Sequence, residues 1–328
     1  MTIENITHIL KSNLHQKGTC QEVFRATVYA HLVDEGDLCF IQSEQEAIQA
    51  VKKGASALVF SDIDFISKVP ESITLIKVDD LKKAAFMLVG AVVGEEDASF
   101  ELIKPKEMTF LRMILQNKKN IHYLPNDWKK AFEIILESKK RLFVGCDEEM
   151  LKAIRPKLSY FKDKAPGQIV SADSLFRTTF KIHKYIYQYQ KITPLHIDIL
   201  RLVVGLCDKY ELPYSLDKMQ YTKHFYPIFI EGEPSVQEVM KNDKVIILSD
   251  DLEDILEAKE YASGVGTWMA KTMIMVPPKT KVDGVKYPTY YRNDEEVLEL
   301  INSLQYNYLF IFTDSENILY KIKEFFNC

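Results

Sequence analysis

The chain has 328 residues, 47% hydrophobic and 27% charged, with a formal net charge of −5. That length exceeds one ordinary core, so two or three domains are expected, and the acidic balance argues against general nucleic-acid affinity, which needs a basic surface. No window approaches the roughly 20 apolar residues of a membrane span, and the start, MTIENITHILKSNLHQKG, lacks a signal-peptide core. A cytoplasmic protein with no membrane span is the expectation.

The five cysteines, Cys20, Cys39, Cys146, Cys207 and Cys328, form no C-x-x-C pair and are odd in number, which favours buried reduced thiols over a disulfide or zinc framework. The seven histidines are scattered, without H-E-x-x-H, so no metal site is expected and no cofactor is assigned.

Ile3, Ile6, Ile9, Leu10 and Leu14 are spaced for one face of an amphipathic helix over the first 20 or so residues, closed near Gly18. FRATVYAHL, from Phe24 to Leu32, alternates as a strand would. Next comes Glu35 to Asp62, EGDLCFIQSEQEAIQAVKKGASALVFSD. Leu38 to Ile41 reads as a short buried strand, and Ala47, Ile48 and Val51 lie on one face of a helix. That helix ends at Lys52-Lys53-Gly54, where basic residues and a glycine favour a helix C-terminus. Ala57 to Phe60 is a second buried strand, completing a βαβ unit. Ile73 to Val78 is a further strand, and Asp79-Asp80 caps an apolar helix from Leu81 to Val93.

Lys104 to Trp128 shows no clear period. Asp127 caps a helix over DWKKAFEIILESKK, RLFVGC (141–146) is a strand, and Asp147 opens a helix stopped by Pro156. Acidic residues at that helix start argue against a phosphate there. From Ser174 to Ile192 the alternation predicts two antiparallel strands or one bent ribbon. Its tyrosines at 185, 187 and 189 read as a solvent-side ladder more readily than as a base-stacking platform. A helix follows Pro194, with Leu195, Ile199, Leu202, Val203 and Leu206 on its buried face, and His196 reads as a surface or boundary residue.

The last hundred residues alternate strands with helices: KVIIL, then DLEDILEAKEYASG, Met273 to Val276, EEVLELINSL behind an Asn293-Asp294 cap, YLFIF and SENILYKIKEFF. This spacing predicts a parallel, doubly wound sheet, whose ligands sit beyond the C-terminal ends of the strands. Ser249, Asp250, Asp251, Pro277, Thr313 and Asp314 fall on that rim. Gly264-x-Gly266 follows a helix, so it reads as a C-terminal cap.

The phrase GDLCFI, the helix ending in KKGA and the strand ALVF resemble the N-terminal domain of the Mur ligases, the enzymes that build the peptide of bacterial cell-wall precursors. The resemblance is to the type of Mur ligase that adds D-alanyl-D-alanine to a UDP-N-acetylmuramoyl-tripeptide. The last unit resembles the family's C-terminal domain in element order, but its strand ends read SDDLEDI, MVPPKTK and FTDSEN where the family has its functional phrases. The resemblance implies three small α/β units: an N-terminal-like domain over 1–100, a truncated central domain with a β-ribbon over 101–232, and a Rossmann-type C-terminal domain over 233–328. It also implies a UDP-muramoyl-type precursor or a protein partner as ligand.

Departures from the family shape the functional expectation. None of the 12 glycines stands in G-x-x-x-x-G-K-[ST] spacing, and IKPKEMTFLRMIL occupies the place of that ATP-binding loop. A family DSR phrase that contacts nucleotide is replaced by Tyr29-Ala30-His31. The expectation is therefore a degenerate, Mur-ligase-like binding or scaffold protein without ATP-dependent ligation. An enzyme of another class with a site at Asp250-Asp251 is the alternative. His31, Arg177, His183, Asp250 and Asp251 are the candidate ligand-binding residues, and no catalytic residue is assigned. For Asp250 and Asp251, helix capping is the competing explanation.

Overall fold

The computed structural model describes residues 1–61, 69–94, 98–117, 119–138, 142–172, 174–230, 244–264, 271–285 and 287–326. It divides into two compact units, one of residues 1–108 with 117–161, the other of 109–116 with 162–328.

The first unit opens with helix α1 (Ile3–Leu10), N-capped by the Thr2 hydroxyl and ended by Lys11 in the left-handed region at φ 50°. The helix is shorter than the sequence period suggests. Leu14 lies instead in strand β1 (Asn13–Gln16) and is exposed. The alternation in FRATVYAHL yields just a two-residue strand, β2 (Ala26–Thr27), followed by a single 3-10 turn at Ala30–Leu32. The βαβ unit is present as read: β3 (Leu38–Phe40), α2 (Glu44–Lys53) and β4 (Ala57–Phe60), with β3 and β4 parallel. Ser43 caps α2 through a bond from the Glu46 N–H, and Gly54 ends it at φ 103°. Within α2 the buried positions are Ala47 and Ala50, while Ile48 is exposed.

Strand β5 (Thr74–Lys77) joins this sheet, in the order β1-β5-β4-β3-β2, with β1 antiparallel and the rest parallel. Parallel strands bury both faces. Leu38, Phe40, Val59 and Ile76 face one core, beneath α1 and helix α3 (Leu81–Val92). Cys39, Leu58, Phe60 and Leu75 face the other, beneath α2. Burial pushes the Cys39 thiol up to about 12, so it stays protonated and inert.

Behind α3 lies a three-stranded sheet of β6 (Ser99–Leu102), β7 (Ile121–Tyr123) and β8 (Leu142–Gly145), ordered β6-β8-β7 and parallel. The stretch without a sequence period contains helix α4 (Pro105–Ile114). Its signal was present: Met108, Phe110, Leu111, Ile114 and Leu115 are all buried at helical spacing behind an N1 proline. Helices α5 (Trp128–Glu137) and α6 (Glu148–Ile154) start at the Asp127 and Asp147 caps.

The second unit carries a three-stranded ribbon, β9 (Gly167–Ser171), β10 (Thr178–Ile182) and β11 (Tyr185–Gln190), antiparallel with β10 in the middle. Tyr185 and Tyr189 are exposed, whereas Tyr187 stacks on buried Phe180 at 5.4 Å. Helix α7 (Ile197–Lys209) follows, with Ile197, Leu200, Val203, Val204, Leu206 and Cys207 buried. That face is turned from the one read in the sequence, as Ile199 and Leu202 are half-buried.

The terminal sheet runs β12-β13-β16-β14-β15. Strands β13 (Val245–Ser249), β16 (Tyr308–Phe312), β14 (Thr272–Val276) and β15 (Thr289–Tyr290) are parallel. The edge strand β12 (Tyr226–Phe229) is antiparallel and tolerates Pro227 because an edge can spare a donor. Helix α8 (Leu252–Gly264) packs on one face, and α9 (Asp294–Ser303) and α10 (Glu316–Phe326) on the other, so the sheet is doubly wound. Gly266 and Cys328 lie outside the described residues.

Gly54→Ala should destabilise the first unit by about 1–2 kcal/mol, because an L residue is strained at this φ and its Cβ would meet Glu35 Cα at 3.0 Å. Denaturant unfolding of the two proteins checks this; an unchanged midpoint would contradict it.

Candidate functional site

Chain connections part to opposite faces between two neighbouring strands of the terminal sheet. From β13 the chain leaves to α8 on one face, and from neighbouring β16 to α10 on the other. Adjacent strands whose connections part in this way mark the ligand crevice of doubly wound sheets. Ser249, Asp250, Asp251 and Thr313 stand there, with the Thr313 N–H donating to Ser249 O at 2.8 Å.

Strand β12 lies on the other side of β13. It pairs Tyr226 with Leu248, and continuing that register sets His224 opposite Asp250. The turn before β12 closes with the Phe225 N–H on Thr222 O, and the Ser249 hydroxyl donates to His224 O at 2.6 Å. His224, 4% exposed, then bridges two elements. Its Nδ1 lies 2.5 Å from Asp250 Oδ1, and its Nε2 lies 3.0 Å from the Thr109 hydroxyl on α4. The exposed Lys223 ammonium meets Asp250 Oδ2 at 2.9 Å. Burial works to raise the Asp250 pKa, but hydrogen bonds from His224 and Lys223, and their charges, prevail and hold it at about 2.

One helical turn onward, Asp254 pairs with His196 at 2.8 Å, both groups buried, and the His196 ring sits edge-on to Phe110 and Phe225. His196 is thus a core residue satisfied by a carboxylate, not a surface residue. Sequence reasoning missed His224, Thr109, Lys223 and this pair. One signal was available, because Asp254 is an acidic residue beside Ile255 and four before Ala258 on the apolar face of α8. The Thr193 and Thr222 hydroxyls are buried and have no hydrogen-bond partner among the described residues.

The five sequence candidates do not converge. Asp251 receives the Glu253 N–H at 2.9 Å and caps α8, as the competing explanation holds. Asp250 does not cap; its partners are His224 and Lys223. Arg177 reaches the Tyr189 carbonyl at 3.5 Å, and His183, at a hairpin corner with φ 53°, pairs with Asp208 at 2.9 Å. His31 belongs to the first unit, exposed and tilted against the Tyr29 ring at 5.5 Å.

In the first unit, the strand–turn–helix of β6, Ile103-Lys104 and α4 has the form of a phosphate cradle but different contents. Pro105 offers no N–H, and the Lys104 N–H donates to Glu107 Oε2 at 2.7 Å. Glu107 is buried, and burial raises its pKa against the opposing pull of the Lys104 N–H and charge. At the other such turn, Asp147 caps α6 and binds Lys82 Nζ at 2.6 Å. Among the described residues, no group of three His, Cys, Asp or Glu is placed to hold a metal ion, and no helix is long and apolar enough to cross a membrane.

The chain is therefore an α/β protein built from parallel sheets, with the fold of the Mur ligases. It is similar to a MurF crystal structure from Acinetobacter baumannii, at 12% identity and a TM-score of 0.51, over 98% of each chain. It is also similar to the MurF ligase of Thermotoga maritima in complex with ADP, at 11% identity and a TM-score of 0.51, over 92% of this chain and 96% of that one. At these identities the likeness is one of fold. No protein-family model and no curated protein sequence matches the chain.

Stability should carry the signature of Asp250. Its pKa is about 2 folded and 3.8 unfolded, so the unfolded state binds more protons between those values. The contribution, about 2 kcal/mol, is complete above pH 4 and lost as pH falls toward 2. The stability gap between the native chain and Asp250→Asn should therefore shrink across that window in denaturant unfolding; a pH-independent gap would contradict the pairing.

Proposed function

We propose that this protein is a Mur-ligase-fold binding protein that does not carry out ATP-driven ligation, and that its ligand is a UDP-muramoyl-type precursor of peptidoglycan. The observation that carries the reading is the start of α4. A phosphate cradle needs free backbone N–H groups at a helix N-terminus, a glycine-rich approach and a lysine with a hydroxyl. Here the turn is Ile103-Lys104-Pro105, and the Lys104 donor is already taken by the Glu107 carboxyl from within the chain. An acceptor oxygen stands where a phosphate oxygen would have to bind. The fold supports the precursor as ligand class by likeness; at the nucleotide end His31 can stand in for a family donor, whereas Ala30 cannot replace a hydroxyl.

Titration calorimetry of the full chain separates the outcomes. UDP-muramoyl tripeptide or pentapeptide should bind saturably, and magnesium–ATP should give no heat beyond dilution. Magnesium-dependent ATP binding in the micromolar range would overturn the loss of ATP chemistry. Absence of binding by every precursor would remove the ligand assignment.

A second reading is favoured by one observation, the Thr109–His224–Asp250 chain at the switch point of the terminal sheet. A carboxylate fixing one imidazole nitrogen while the other meets a hydroxyl is an arrangement suited to proton transfer. A hydrolase or transferase screen, repeated on His224→Gln, tests it: an activity unchanged in that variant dismisses the site.

A further inference from the structure

We propose that the ribbon of β9, β10 and β11 is a docking surface for another protein, whose occupant is an extended acidic segment that adds as a strand along β11. The middle strand turns Phe180 and Ile182 into the core, and both are buried. The register sets Lys181 opposite Gln168 on one side and Ile186 on the other, so these three share the outer face. Along the three strands Ile169, Val170, Tyr185, Ile186 and Tyr189 are each between 43% and 57% exposed. Large apolar side chains gathered on one small sheet mark a contact surface, whereas singly scattered ones do not.

The backbone of β11 is open along its outer side. It is an edge strand, and its hairpin loop is His183-Lys184, flanked by the pair Ile182–Tyr185. In such a hairpin the flanking pair exchanges the ladder bonds, so Ile186 turns its N–H and C=O out from the edge. No backbone hydrogen bond from another described segment reaches them. Edges are usually blunted by charge, proline or a bulge. Tyr185 to Gln188 has neither charge nor proline, and the bulge comes just beyond. There Tyr189 stands at φ 48°, with its N–H on the Thr179 hydroxyl at 3.1 Å. A left-handed backbone is unfavourable for an aromatic residue, and such strain gathers at binding surfaces.

Charge selects the occupant. Residues 165–192 hold Arg177, Lys181, Lys184 and Lys191 against one acidic residue, Asp173, in a chain whose net charge is −5. Lys181 and Lys184 form no ion pair with any described residue, and Lys184 lies over the Tyr185 ring at 5.3 Å. Two carboxylates neighbour the ribbon: Asp208 is met by His183 at 2.9 Å, and Asp217 accepts from the Ser215 hydroxyl at 3.1 Å. A second copy docked edge to edge would set this positive ribbon against itself, which disfavours self-pairing. Nucleic acid needs free ring faces, but Tyr187 is stacked on Phe180 and Tyr185 is covered by the Lys184 ammonium. Aliphatic contacts, an open edge and lysines without carboxylate partners suit an acidic strand.

The test is fluorescence anisotropy of two labelled heptapeptides titrated with the full chain, one alternating glutamate with valine, the other lysine with valine. The acidic peptide should bind saturably, about tenfold more tightly than the basic one, and more weakly as salt rises. Lys181→Glu combined with Lys184→Glu, at half-buried and exposed positions, should reverse that preference. Ile186→Pro, which an edge tolerates because this N–H points outward, should weaken binding about tenfold with circular dichroism and melting temperature unchanged. No saturable binding of the acidic peptide, equal binding of the two peptides, tighter binding of an oligothymidylate, or unaltered binding by either variant would each overturn the proposal.

Discussion

A parallel strand has both faces covered, and this constraint organises both units. Strands such as Ala57–Phe60, Val245–Ser249 and Tyr308–Phe312 are apolar on successive residues, because alternate side chains enter different cores. Most crossovers then supply a helix with one apolar stripe, β14 to β15 being linked without one among the described residues. The crossovers also determine where polar chemistry can gather. Along most of a parallel sheet the strand ends are roofed by their own connections. Where two neighbouring connections leave to opposite faces, at Ser249 and Thr313, the strand ends are covered by the turn before β12 and its His224 instead.

Polar groups near that point are compensated in pairs. Asp250 would be costly beside an apolar sheet on its own, and Asp254 and His196 more so, since each is nearly excluded from water. His224 and His196 meet them as partners, and the aromatic rings of Phe110 and Phe225 close around His196. Breaking either pair would leave an unmatched buried group, which costs more than the pair itself contributes. The same logic explains the start of α4. A helix N-terminus has unmet N–H groups, and Glu107 satisfies that of Lys104 from within the helix.

Much of the fold was legible because its signals are local. Gly36-Asp37, the Ala47 and Val51 spacing and Gly54 announce a strand, a helix and its stop without reference to the rest of the chain. The caps Asp80, Asp127, Asp147 and Asn293 were legible for the same reason, as each bonds an N–H two or three residues ahead. Errors arose where a local pattern admitted two outcomes. FRATVYAHL alternates, yet Val28 and Ala30 are buried across a 3-10 turn rather than a strand. The α4 pattern was masked by lysines and a proline that a helix start accepts.

By itself, the sequence determined the α/β class, the βαβ unit around Gly54, the doubly wound C-terminal sheet and the absence of a G-x-x-x-x-G-K-[ST] loop. These follow from periodicity, capping and turn chemistry, which act over a few residues. Tertiary structure alone decided which residues share a site. His224 meets Asp250 through the antiparallel register of an edge strand, Thr109 reaches the same imidazole from a helix 115 positions away, and Asp254 finds His196 across 58. No local rule carries such pairings, because they depend on how sheets and helices pack once their apolar faces are buried.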